Sequence, residues 1–167
     1  MKKIFFILAF LCQVSASFSQ ANKKLKNGMY LVDKIVYDST KIDASDTKKT
    51  LIKFNQLFLE NAPEKSVGLL IFNSNFVPLE LNEEPKLIDQ DEKKKKIELS
   101  LSHAASEQLA TFTSNNVMKQ ATLVIDGEAL TVHKIREAIT GGKMQITRCS
   151  DNACEIIYVK LKDSIQK

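Results

Sequence analysis

The chain has 167 residues and a mass of 18.8 kDa, of which 44% are hydrophobic and 26% charged. That suits a single domain with a real core, and it excludes both a multidomain enzyme and a disordered chain. The formal charge is +4, with no Trp, two His and three Cys.

Residues 1–19 read as an export signal. Lys2 and Lys3 make a positive start, Ile4 to Leu11 an unbroken apolar run, and Ser15, Ala16, Ser17 and Ser19 a small-residue close. Cleavage after Ser19 leaves Gln20 first; cleavage after Ser17 is the alternative. The apolar run is far shorter than the roughly 20 residues that cross a bilayer, so no integral membrane anchor is expected in the mature chain. Cys12 follows Leu11, where a lipidated cysteine usually follows a small residue, so it reads as part of the signal. Loss of Lys2 and Lys3 lowers the formal charge to +2, which is no nucleic-acid footprint. The product is expected in the periplasm or outside the cell.

Residues 20–28 form a polar, Lys-rich lead-in, expected to be flexible. Residues 29–81 are expected to supply N-terminal strands. Met29 to Tyr37 is rich in β-branched and aromatic residues and reads as a strand. Asp38 to Lys49 reads as a loop. Leu51 to Leu59 allows strand or helix, with strand preferred, and Asn61 to Lys65 reads as a turn. Ser66 to Phe72 is a buried-strand candidate and Asn73-Ser74-Asn75 a turn. Phe76 to Leu81 is extended, with Pro78 suggesting an edge.

Residues 82–96 read as a polar linker loop. Acidic residues, from Glu83 to Glu92, precede Lys93-Lys94-Lys95-Lys96, so the local charge nearly cancels. A solvated segment fits this better than a phosphate-binding patch.

Residues 97–167 are more regular. Ile97, Leu99 and Leu101 alternate along one strand face. Ser102 is a good N-cap for a helix from His103 to Thr113, with Ala105, Leu109 and Phe112 as its apolar stripe. Gln120 to Ile125 and Glu128 to Val132 pair as a hairpin around Asp126-Gly127, a type I′ signal. A second helix is expected from His133 to Ile139, stopped by Gly141-Gly142. Met144 to Arg148 and Glu155 to Leu161 read as a last hairpin. The expected fold class is α+β: a largely antiparallel sheet with two short helices on one face.

Cys149 and Cys154 remain after signal removal, and an oxidising compartment favours their pairing. The expected hairpin would set them opposite each other, and so short a ring contributes about 2 kcal/mol. A redox pair would normally have two intervening residues and a helix start. Zinc would need His103 and His133 too, which lack ligand spacing. Catalytic motifs are thin. Gly141-Gly142 opens no phosphate loop, and no Ser sits in a Gly-x-Ser-x-Gly frame. His103 and His133 read as surface or capping residues, and Asp126 has a sufficient reason in its turn. No cofactor, metal site or catalytic residue is expected.

Four segments in order resemble the head subdomain in the first periplasmic domain of SecD and the fused SecDF proteins, accessory subunits of the protein-export translocase. They are Glu84-Pro85-Lys86-Leu87-Ile88; Ile97 to Leu101 with Phe112-Thr113-Ser114-Asn115-Asn116; Ala121 to Gly127; and Ile135 to Thr147, with its Gly141-Gly142. The resemblance covers Phe76 to Thr147. It departs from the family in three respects. The chain has no transmembrane helices after its signal, residues 29–72 have no counterpart, and a Cys-bearing segment stands where the family runs into an Ala/Leu-rich helix.

The resemblance implies a non-enzymatic module that holds extended or unfolded polypeptide during or after export, with exported chains or translocase proteins as partners. The alternative is an interaction module for one folded cell-envelope partner. A hydrolase or thiol redox protein is the remote third reading.

Overall fold

The computed structural model describes residues 25–37, 46–54, 68–91, 94–147 and 151–165. Its elements are β1 (Gly28–Val36), β2 (Lys49–Phe54), β3 (Gly68–Pro78), β4 (Lys86–Asp91), β5 (Lys94–Ser100), α1 (His103–Asn115), β6 (Gln120–Ile125), β7 (Glu128–Lys134), β8 (Lys143–Ile146) and α2 (Asp151–Ile165). The expected α+β class with mainly antiparallel strands holds. The strands, however, divide into two sheets. One closes into a barrel in the order β1-β3-β2-β7-β6, and the other is a three-stranded sheet, β4-β5-β8. Every described pairing is antiparallel except β2 with β7, which meet in parallel over Lys53–Glu128 and Phe54–Ala129.

The barrel strands are apolar on both faces, and each face has its own cover. Tyr30, Val32, Ile52, Leu69, Ile71, Val124 and Ala129 fill the interior. Tyr30 stacks on Phe76 there, with ring centroids 4.8 Å apart. Leu31, Val77 and Ala121 face outward under Ala105, Leu109 and Phe112 of α1. Leu123, Ile125 and Leu130 also face outward. They share a cluster with Ile97, Leu99 and Ile146 of the small sheet and with Ala153, Cys154, Ile157 and Leu161 of α2. This third cluster joins the two sheets through α2.

Helix α1 starts as its sequence predicts. The Ser102 hydroxyl accepts from the Ala105 N–H at 3.2 Å, so one unpaired donor of the first turn is satisfied. The Asp126-Gly127 turn also forms as expected, with φ of 50° and 81°, the two positive values a type I′ turn needs.

Several expectations are corrected. Glu155 to Leu161 lies in a helix, not a strand. Its β-branched run suggested extended chain, but the buried residues 153, 154, 157 and 161 follow helical spacing. His133 and Lys134 end β7, and 135–139 is irregular, not a second helix. There the Ile135 carbonyl accepts from Met118 N–H at 2.8 Å, and Ile135 N–H donates to Lys119 at 2.9 Å. These bonds extend the β6–β7 ladder, which leaves none for a helical turn. Gly141 and Gly142, with φ of 82° and 67°, lead into β8 and terminate no helix.

The other corrections concern loops, turns and an edge. The 82–96 linker carries β4 and the start of β5 as a hairpin. Leu87 faces Ile97 and Asp89 faces Lys95 across it, and such cross-strand pairs stabilise strands despite a polar composition. Asn73-Ser74-Asn75 lies within β3 as a bulge: Ile71 opposes Val32, and Phe76 opposes Tyr30. Pro78 ends β3 opposite Gly28 of β1, beyond the stretch paired with β2; the edge expected there is not found, because β3 lies between β1 and β2 in a closed barrel. The expectations for 1–24, 38–45 and 55–67 lie outside the described residues, Cys12, Ser19 and Gln20 among them.

Candidate functional site: an apolar groove between β6, β7 and β8

The outward faces of β6 and β7 are not covered along their whole length. Between the parts under α1 and α2 lies a groove of about 350 Å³. Its lining includes Met29, Ala121, Leu123, Ile135, Ile139 and Met144. Period-2 alternation explains the part from β6: Ala121 and Leu123 turn outward, while Val124 turns into the barrel.

The 135–139 segment forms one wall. It has no regular secondary structure, so specific bonds must hold it. One end is tied by Ile135 to Lys119 and Met118. The other is tied by the Ile139 N–H, which donates to Thr113 Oγ1 at 2.8 Å. The opposite wall is β8, paired with β5 from Ser100–Lys143 to Ile97–Ile146. No described strand pairs with the second edge of β8. Gly142 anchors the start of β8, since its carbonyl accepts from Leu101 N–H at 2.9 Å.

The rim is basic. His133, Lys134, Arg136 and Lys143 line the groove, with Glu137 as the acidic residue among them. Lys134 and Arg136 are exposed, and neither forms an ion pair with a described residue. Outside the groove, the Glu83 carboxyl is held below the usual carboxylate range. The main cause is its hydrogen bond from Lys86 at 2.8 Å; the charges of Lys86 and, less, Lys143 add to it.

The residues singled out from sequence do not converge on one centre. His103 opens α1, exposed, with Nε2 3.7 Å from Glu107. His133 lines the groove. Asp126 and Gly127 turn at the far end of the β6–β7 hairpin, where Asp126 N–H donates to Asn27 Oδ1 at 2.9 Å. Cys154 is buried in the first turn of α2, its Sγ 3.4 Å from the Lys95 carbonyl oxygen. Cys149 lies outside the described residues. Among the described residues, no cluster of three or more His, Cys, Asp or Glu could hold a metal ion. Nor is any described helix long and apolar enough to cross a membrane.

Sequence reading missed the groove residues Met29, Ile139 and Met144 as a set. Ile135 and Ile139 were visible as an i, i+4 apolar pair, but that pattern pointed to a helix.

Residues 80–156 match the family model for the SecDF P1 head subdomain. The protein translocase subunit SecD of Acidaminococcus fermentans is 34% identical over 55 residues, which are 33% of this chain and 13% of that protein. A crystal structure of SecDF in a super-membrane-facing form is 20% identical. It covers 83% of this chain and 19% of its own, with a TM-score of 0.49. A second SecDF structure, described as that of a membrane component that enhances protein export, is 19% identical. It covers 83% of this chain and 63% of its own, with a TM-score of 0.47. The chain thus spans a small part of the SecD it matches. Every lining residue of the groove except Met29 lies within 80–156. This part of the chain is similar to the SecDF P1 head subdomain.

Proposed function

We propose that this chain is an exported, non-enzymatic module that holds extended or unfolded polypeptide in the groove between β6, β7 and β8. The observation that carries this reading is an apolar groove lined by β8, whose second edge is paired with no described strand. An extended chain there can bury apolar side chains against Met29, Leu123 and Met144. The edge of β8 that no described strand pairs with can meet its backbone. The likeness to a subdomain of protein-export components supports the same reading. Exported chains and translocase proteins are the partners it implies, reached after removal of residues 1–19.

The test is equilibrium binding of a disulfide protein in its reduced, alkylated form and in its native form, with photo-reactive residues at Ile139 and Met144. Binding of the unfolded form with crosslinks at both positions supports the reading. Equal affinity for the native form, or crosslinks confined to other positions, overturns it.

A second reading has its own observation. Helix α2 exposes Ile156 and Val159, at 42% and 54%, on the face turned from its core. That face suits one folded cell-envelope partner. Substitution Val159→Asp with unchanged binding of unfolded chains would separate the two readings.

The reading also includes a structural disulfide between Cys149 and Cys154, closing the chain just before α2 onto its first turn. Such a bond suits an oxidising compartment. Peptide mapping without reductant should recover the two cysteines in one linked fragment, and two free thiols would exclude the bond.

A further inference from the structure

The groove contains more than an apolar surface. Four basic side chains line it against one acidic, Glu137. Lys134 and Arg136 stand at the end of β7 and just beyond, both exposed and neither ion-paired with a described residue. Lys143 faces them from the first residue of β8. Some lysines elsewhere pair with acids: Lys49 with Asp33 at 3.1 Å, Lys96 with Glu98 at 2.7 Å, and Lys160 with Glu128 at 3.0 Å. Around the groove itself, cations outnumber carboxylates.

We infer that the groove selects extended segments in which acidic side chains flank apolar ones, and that it disfavours basic segments. This rests on the polypeptide-binding reading above and names the chemistry of its ligand. Apolar side chains would sit on Met29, Leu123, Ile139 and Met144. In an extended segment, alternate side chains point the other way, which brings acidic groups to Lys134, Arg136 and Lys143. Charges on an exposed rim discriminate between partners more than they raise affinity, because a like charge brought there meets more cations than carboxylates. Basic segments meet three cations and one carboxylate, so they are repelled.

The experiment uses three synthetic peptides of equal length with identical apolar residues. Their polar positions carry Asp and Glu, Ser and Asn, or Lys. Affinities are measured by fluorescence anisotropy for the native chain, for Lys134→Glu/Arg136→Glu, and for a control with the same charge change outside the groove, Lys34→Glu/Lys53→Glu. All four positions are exposed, so each variant should keep its Tm. The native chain should bind the acidic peptide about tenfold tighter than the neutral one at low salt, with the basic one weakest. The preference should shrink at roughly 0.5 M salt, where screening shortens the reach of these charges. Lys134→Glu/Arg136→Glu should reverse the order, and the control should keep it. Equal binding of the three peptides, or reversal in the control as well, would overturn charge selection by the groove. Failure of all three to bind would instead remove the polypeptide reading itself.

Discussion

The N–H of Ile139 donates to the hydroxyl of Thr113 at 2.8 Å, joining the groove wall to the last turns of α1 across 26 residues of sequence. Thr113 is fully buried, and its hydroxyl donates in turn to the Leu109 carbonyl at 2.7 Å. One side chain therefore serves as helix back-bond and as the anchor of an irregular segment.

Thr113→Val should cost about 1–3 kcal/mol, because it keeps the shape but leaves the Ile139 N–H without its acceptor. Denaturant unfolding measures the loss. Amide exchange should quicken in 135–139 more than in β6, since the anchor of that segment is removed. Uniform quickening would show that the bond is only one among many.

The two adjacent glycines should differ sharply on substitution. Both have positive φ, but a Cβ on Gly141 would meet nothing within 4 Å, whereas one on Gly142 would lie 1.8 Å from Ser106 Oγ. Gly141→Ala should cost about 1 kcal/mol, from strain alone. Gly142→Ala should cost clearly more, because Ser106 is already bonded to the Ser102 carbonyl at 2.7 Å and must move. Thermal unfolding of the two variants tests this; equal Tm values would contradict it.

Thr122 offers a gain in stability. It lies opposite Tyr30 and Val132, which places its side chain inside the barrel, and its hydroxyl has no hydrogen-bond partner among the described residues. Thr122→Val removes a buried polar atom at nearly constant shape. It should stabilise the chain by about 1 kcal/mol, read as a higher denaturation midpoint at unchanged slope. A lower midpoint would mean that the hydroxyl is satisfied in solution.

Tyr30 should make the fold sensitive to alkali. Burial raises its phenol pKa above the ordinary value. The folded state thus keeps the phenol proton to higher pH than the unfolded chain does. Its contribution is complete below about pH 10 and is lost as pH rises through the folded pKa. Stability measured from pH 8 upward should fall above pH 10, and the fall should be shallower in Tyr30→Phe. Parallel profiles would remove Tyr30 as the cause.

What was legible in the sequence was local. Ser102 caps α1 because a hydroxyl at that position meets a free N–H whatever lies further away. Asp126-Gly127 turns because those two residues tolerate positive φ. The failures also have local causes. Residues 155–161 are β-branched enough to suggest a strand, yet α2 forms because Ala153, Cys154, Ile157 and Leu161 are buried together between the small sheet and β6. Residues 133–139 have helical spacing, yet Ile135 bonds to Lys119 and Ile139 to Thr113. Those partners lie 16 and 26 residues away and outweigh a weak helix preference.

The sequence by itself determined the α+β class, the cap of α1, the β6–β7 hairpin and the likeness of one stretch to a SecDF head subdomain. Each depends on neighbours a few residues apart or on an ordered string of residues. Only the tertiary structure decided the closure of five strands into a barrel, the placing of α2 between two sheets, and the meeting of Met29, Ile139 and Met144 in one groove. These depend on which apolar faces bury each other, and a two-faced apolar strand offers more than one partner until the whole core is packed.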